Sequence, residues 1–236
     1  MLKKKLKIQI FADGANIREI NNLKKKKFIS GFTTNPSLMK KSGVKDYEKF
    51  LNSVTKLVKS KSISFEVFSD TIAGMEKQAK KISSYGKNIA VKIPITNTKG
   101  VSTVNLVHKL NREGIKCNVT GVFTLKQVKG LLKNFPNKTE MIVSIFAGRI
   151  ADTGIDPKPL MSKSVKLSKK KKIKILWASP RELWNLFEAD KLGCHIITIP
   201  YDIINKFNLI NKNLNKYSIE TIKTFHKDAK MSGFKI

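Results

Sequence analysis

The sequence predicts a single (β/α)8 barrel spanning residues 1–236, and three observations carry that expectation. Short runs rich in Ile and Val alternate from end to end with longer amphipathic segments, eight such runs can be placed, and no Pro/Gly/Ser-rich linker separates them. Runs that are apolar at consecutive positions suit strands covered on both faces. Strict alternation with helical patterns gives parallel β/α units. Eight units favour closure into a barrel over an open sheet, and 236 residues lies within the range of about 200–250 that such barrels need.

The candidate strands are residues 6–12, 28–32, 63–67, 89–93, 115–120, 141–146, 173–178 and 195–199. Between them, 46–59 places Tyr47, Phe50, Leu51, Val54 and Val58 at helical spacing, with Asp46 as its N-cap. Residues 71–84 carry Ile72, Met75, Ala79 and Ile82 on one face, and 101–111, 125–132, 182–191 and 219–231 read similarly. Gly86, Gly114 and Gly193 fall where a C′ glycine ends a helix. The last helix is surplus to the barrel and is expected to cover a rim or a neighbouring subunit.

With 41% hydrophobic and 27% charged residues, the chain has material for a substantial core and is not disordered. Its charge is unusual: 47 Lys and Arg against 17 acids, a formal net charge of +30. Nucleic acid or an anionic membrane is the first reading of such a field. Only Arg18, Arg112, Arg149 and Arg181 are arginines, and the lysines are spread along the chain with short clusters at 3–5, 24–27 and 169–172. That favours a solvated basic surface, with no specific nucleic-acid site, whose field attracts phosphorylated substrates. Cys117 and Cys194 stand beside or within apolar runs, which suits a reduced, cytoplasmic setting better than a disulfide framework. No run approaches the roughly 20 apolar residues of a membrane span, and the lysine-rich start lacks a signal-peptide cleavage pattern.

In a β/α barrel the active site is built at the C-terminal strand ends. Those ends carry Asp13; Thr33, Thr34 and Asn35; Glu66 and Asp70; Lys92; Asn118 and Thr120; Ser144 and Arg149; Ser179 and Arg181. Lys92 is the sharpest feature, a lysine within an apolar strand. Burial disfavours an ammonium, and a neutral amine is what attack on a carbonyl requires. Pairing with a buried carboxylate, Asp13 or Glu66, is the competing account. These two carboxylates are the candidate acid/base groups, although Asp13 also suits a helix N-cap. Arg149 and Arg181 suit multidentate phosphate recognition or surface salt bridging. His108 and His226 lie on charged helical segments and are expected in solvent. His195, Trp177 and Trp184 are expected to serve packing.

Several segments together resemble the transaldolases, in particular the short class that includes the fructose-6-phosphate aldolases. They are Phe11-Ala12-Asp13-Gly14-Ala15-Asn16, Gly31-Phe32-Thr33-Thr34-Asn35-Pro36-Ser37-Leu38, Val91-Lys92-Ile93-Pro94, Asn118-Val119-Thr120, Ser144 through Asp152, and Ala178-Ser179-Pro180-Arg181. The match runs in order over nearly the whole chain. It implies a metal-free and cofactor-free enzyme of the pentose phosphate pathway acting on sugar phosphates. Lys92 would form an imine with a ketose, and Asp13 would take the C4 hydroxyl proton. Glu66 and Thr120 would handle a proton-shuttling water. Asn35 and Ser144, with Thr34, Asn118 and Phe146 beside them, would hold the three-carbon unit, while Arg149, Ser179 and Arg181 would grip the phosphate. Glu66 and Phe146 match the transferases, where the short aldolases usually carry Gln and Tyr. The resemblance also implies a homo-oligomer. Asp13-Gly14, Ser144-Ile145, the segment 96–101 and Pro180 depart from the family's usual pattern and bear on substrate preference.

Overall fold

A computed structural model describes residues 6–235, so the lysine cluster at 3–5 lies outside the described residues. Eight parallel strands close into a barrel in sequence order: β1 (Gln9–Asp13), β2 (Ile29–Thr33), β3 (Ser62–Glu66), β4 (Ile89–Pro94), β5 (Cys117–Val122), β6 (Met141–Ile145), β7 (Ile173–Trp177) and β8 (Ile196–Pro200). β8 pairs with β1 to complete the ring. All eight overlap the runs placed from the sequence. Register irregularities occur between Ile10 and Phe11 and between Val119 and Val122.

The helices are α1 (Ile17–Leu23), α2 (Pro36–Lys41), α3 (Tyr47–Leu57), α4 (Ile72–Ser84), α5 (Val104–Arg112), α6 (Leu125–Leu132), α7 (Ala147–Ala151), α8 (Lys158–Ser168), α9 (Trp184–Lys191), α10 (Tyr201–Asn205) and α11 (Leu214–Ser232). Asp46 does cap α3, accepting from the Lys49 amide at 2.9 Å, and Thr71 caps α4. Gly114 and Gly193 adopt the left-handed conformation of a helix stop, with φ of 85° and 77°; Gly86 does not. The helix expected from residue 101 starts at Val104, because Thr96 and Ser102 first form an isolated antiparallel bridge. α8 has no counterpart among the expected elements. Its inward face includes Ser164 and Ser168, whose hydroxyls are satisfied by the carbonyls of Leu160 and Val165, so the face does not read as apolar.

Two apolar layers hold the barrel. Ile, Val and Leu side chains from the outward faces of the strands meet the helices in one continuous core. Inside the barrel, Phe11, Ala90, Ile142, Leu176, Ala178 and Ile196 form a separate plug. Gly31 makes room for it: a Cβ there would lie 2.6 Å from the Phe11 ring.

Three expectations need correction. His108 is buried, its Nε2 2.9 Å from the Leu131 carbonyl and its ring against Phe135. The buried face of α5 is broader than the charge pattern suggests. Trp184 is 61% exposed rather than in the core, its ring packing in a tilted arrangement against Phe187. Asp13 does not cap α1; Asn16 does, accepting from the amides of Arg18 and Glu19. α11 buries none of its residues and leaves Leu214, Ile219, Ile222 and Phe225 exposed. No described helix is long and apolar enough to cross a membrane.

Candidate active site

Side chains of alternate strand residues share a face, so the inward positions of β3, β4 and β5 converge at one end of the barrel. Glu66 and Lys92 are register partners across β3 and β4, and Pro94 faces Thr120 across β4 and β5. They open into a cavity of about 550 Å³ at the C-terminal mouth, also lined by Asp13, Asn35, Ser144, Phe146, Arg149, Ser179 and Arg181. Ten of the twelve residues to which the family resemblance assigns a role line this one cavity.

Lys92 is only 6% exposed. Its Nζ lies 3.0 Å from Glu66 Oε2 and donates to the Thr34 carbonyl at 3.0 Å. The ion pair anticipated as a purely structural alternative therefore exists, but it sits on the cavity wall and not in the packed interior. A charge held this way needs its partner close, because an unpaired buried ion is costly.

Asp13 ends β1. Its Oδ1 accepts from Thr33 Oγ1 at 2.6 Å, and Thr33 Oγ1 is also hydrogen bonded to Thr198 Oγ1 on β8. Burial pushes the Asp13 carboxyl above the ordinary aspartate range, against the pull of nearby Lys92 and of the Thr33 hydrogen bond; Glu66 adds to the upward push. Thr33 and Thr198 line the cavity too. Thr198 went unnoticed in the sequence because nothing marks one hydroxyl within an apolar strand, although its inward parity with Pro200 could have drawn attention to it.

Thr120 is 3% exposed and its Oγ1 has no hydrogen-bond partner among the described residues. Buried hydroxyls are seldom left unpaired, and Thr120 lines this cavity. Asn35 caps α2, its Oδ1 accepting from the Leu38 amide at 2.9 Å, which leaves its side-chain amide nitrogen without a role in the cap. Two expected residues do not line the cavity. Asn118 is fully buried, donating to Ser64 Oγ at 3.1 Å and accepting from Ser144 Oγ at 2.6 Å, so it braces three strands and positions Ser144. Thr34 contributes its carbonyl to Lys92, while its own hydroxyl is buried and without a hydrogen-bond partner among the described residues.

The two arginines differ. Arg181 donates through Nε to Asp152 Oδ1 at 3.0 Å, and a second nitrogen contacts Asp152 Oδ2. Arg149 has no carboxylate within ion-pair distance among the described residues; its guanidinium lies 5.2 Å over the Phe146 ring, which in turn packs against Phe123. Cation–π stacking fixes the plane of that guanidinium while leaving its edge free to donate. Between the arginines, Ser179 adopts φ of 60°, a strained conformation for a residue with a side chain. Gly148 makes the turn possible, since a Cβ there would lie 1.5 Å from the Ser179 carbonyl oxygen.

Comparison with known proteins agrees with this architecture. The 4-hydroxy-tetrahydrodipicolinate synthase of Methylacidiphilum fumariolicum superposes with a TM-score of 0.59 over 83% of this chain and 68% of that one; at 12% identity the likeness concerns the barrel alone. Sequence relatives are nearer. A protein named "Probable transaldolase" from a Thermoanaerobacter species is 36% identical over 97% of this chain and 100% of its own length. One of the same name from Halalkalibacterium halodurans is 37% identical over 89% of this chain and 97% of its own. The sequence profile described as "Transaldolase/Fructose-6-phosphate aldolase" matches residues 10–236. The chain therefore belongs to the transaldolase/fructose-6-phosphate aldolase family of enzymes.

Proposed function

We propose that this enzyme transfers a dihydroxyacetone unit between sugar phosphates through an imine on Lys92. The observation that carries the reading is the arrangement around Lys92 Nζ: a buried amine with Glu66 at 3.0 Å, on the wall of a cavity that Arg149 also lines. In this reading the amine attacks the ketose C2 carbonyl, and Glu66 accepts the proton the ammonium must first lose. The carbinolamine loses its oxygen as water. Glu66 and the unpartnered Thr120 hydroxyl hold the water through which that proton moves. Asp13 then takes the C4 hydroxyl proton, the C3–C4 bond breaks toward the iminium, and an aldose phosphate leaves. A carboxyl held above its ordinary range is a better base for an alcohol than a free one. The remaining enamine attacks a second aldehyde by the reverse steps.

Fructose 6-phosphate or sedoheptulose 7-phosphate would be the donor, with erythrose 4-phosphate or glyceraldehyde 3-phosphate as acceptor. Arg149, Ser179 and Arg181 would hold the phosphate; Asn35 and Ser144 would hold the three-carbon unit.

An aldolase would instead protonate the enamine and release free dihydroxyacetone. Phe146, backed by Phe123, presents a ring with no proton to give on this wall, which favours transfer. Borohydride with fructose 6-phosphate should reduce the imine and label Lys92, and glyceraldehyde 3-phosphate should be released beyond one equivalent per active site only with an acceptor present. Sustained release over many turnovers without acceptor would sink the transferase reading in favour of the aldolase; absence of any label on Lys92 would sink both.

A further inference from the structure

The catalytic cavity accounts for little of the +30 charge. The barrel topology gives that charge an unexpected focus. Lys27, Lys61, Lys87, Lys116 and Lys172, scattered in the sequence, each stand one or two residues before a strand, so the fold gathers them at the N-terminal mouth, opposite Lys92.

That mouth is concave. A cavity of about 460 Å³ opens where β3, β4, β5 and β6 begin, and Lys59, Lys61, Lys87 and Lys116 line it. Inward parity explains both the hollow and its charge. Ser62 shares a face of β3 with Glu66, Ala90 shares a face of β4 with Lys92, and Lys116 shares a face of β5 with Thr120. Small side chains on β3 and β4 leave the space, and Lys116, just before β5, stands at its edge.

The charge is uncompensated. None of these four lysines makes an ion pair among the described residues. The single carboxylate of the lining, Glu140, is already held by Lys174 at 2.9 Å. Lys61 is fixed in place by the carbonyls of Ile29 and Lys26, at 2.7 and 3.1 Å, and burial lowers its pKa with no anion to offset the cost. Cations converging on a recess without counter-charge raise the local concentration of anions.

The lining narrows the ligand. It contains no aromatic ring for a base to stack on and no arginine fork to read a base edge. Lysine ammoniums are point charges that suit a chain of phosphates, and a recess of this size suits a small molecule. We propose that the N-terminal mouth is a second anion site that takes a short polyphosphate group, either inorganic or the phosphate tail of a nucleotide.

The test is titration calorimetry of the full chain with inorganic tripolyphosphate at physiological ionic strength, with fructose 6-phosphate saturating the catalytic cavity. One bound tripolyphosphate is expected, and Lys87→Gln/Lys116→Gln should weaken it by about tenfold or more while leaving catalytic activity unchanged. Both lysines are exposed and make no hydrogen bond through their side chains among the described residues, so the fold is not at stake. Lys77→Gln/Lys223→Gln removes the same charge from exposed helix positions and should change affinity by less than about twofold. ATP separates the sources: binding equal to tripolyphosphate indicates a nucleotide tail, weaker binding an inorganic chain. Equal weakening by the two double variants, displacement by fructose 6-phosphate, or binding of a single-stranded oligonucleotide without tripolyphosphate would each overturn the proposal.

Discussion

The two mouths of this barrel are built from the same strands a few residues apart, yet their electrostatics are opposite in kind. At the C-terminal mouth two of the three cations have carboxylate partners: Lys92 faces Glu66 and Arg181 is held by Asp152, while Arg149 lies over the Phe146 ring. At the N-terminal mouth four lysines surround a recess whose one carboxylate belongs to another lysine. The lesson is that total charge says little about a site. A group that must cycle between protonation states needs a carboxylate within reach, whereas a surface that only collects anions does better without one. The plug of Phe11, Ala90, Ile142, Leu176, Ala178 and Ile196 separates the two environments.

Lys92→Ala tests the compensated end most severely. It should abolish borohydride trapping and lower transfer activity by roughly 10³-fold or more, as loss of a covalent nucleophile does. Activity persisting in the variant would refute the imine and leave the pairing with Glu66 as merely structural.

Asp13→Asn should cost about 10²-fold in kcat while raising thermal stability, a split that a structural aspartate would not produce. Asp13 keeps its proton to a higher pH in the folded protein than in the unfolded chain. Ionising it therefore costs stability, which falls as pH rises from the ordinary aspartate range through the raised value. The same shift places the acid limb of the kcat profile above that ordinary range. A wild type and an Asp13→Asn protein with parallel stability–pH curves would contradict the assignment.

Gly31→Ala strikes the plug between the mouths. The new methyl meets the Phe11 ring, and overpacking of this kind costs about 1–3 kcal/mol, measurable by urea unfolding. A neutral change would mean that the plug yields and does not hold the two ends apart rigidly.

The smallest effect is expected from Asp152→Asn. Because the Arg181–Asp152 pair is half exposed, its loss should change stability by less than about 1 kcal/mol. It also frees the Arg181 guanidinium and should lower KM for the phosphorylated donor modestly. A raised KM would show instead that Asp152 orients Arg181 for the phosphate.

Much of this was legible in the chain. Eight Ile/Val-rich runs marked all eight strands because parallel strands buried on both faces cannot hide their apolar character. The strand-end rule then turned their C-terminal ends into a residue list, and ten of the thirteen residues named from it line one cavity, Thr34, Asp70 and Asn118 being the exceptions. The clearest exception has a physical cause. Asn118 and Ser144 stand on neighbouring strands with similar inward parity, yet Asn118 lies deeper, bracing Ser64 and Ser144. Depth along a barrel axis depends on strand stagger, which a linear pattern does not carry. His108 looked solvated because its neighbours are charged, but the width of a helix's buried face is set by what packs against it, here Leu131 and Phe135.

Local chemistry along the chain was thus enough to determine the strand set, the candidate lysine and the carboxylates that could serve it, because hydrophobic periodicity and strand-end position are properties of short segments. Tertiary structure alone decided that Lys92 meets Glu66 on a cavity wall, that Asp13 is raised by burial beside Thr33, and that the scattered lysines converge on the opposite mouth. Those are distances between residues far apart in sequence, and closure of the barrel is what brings them together.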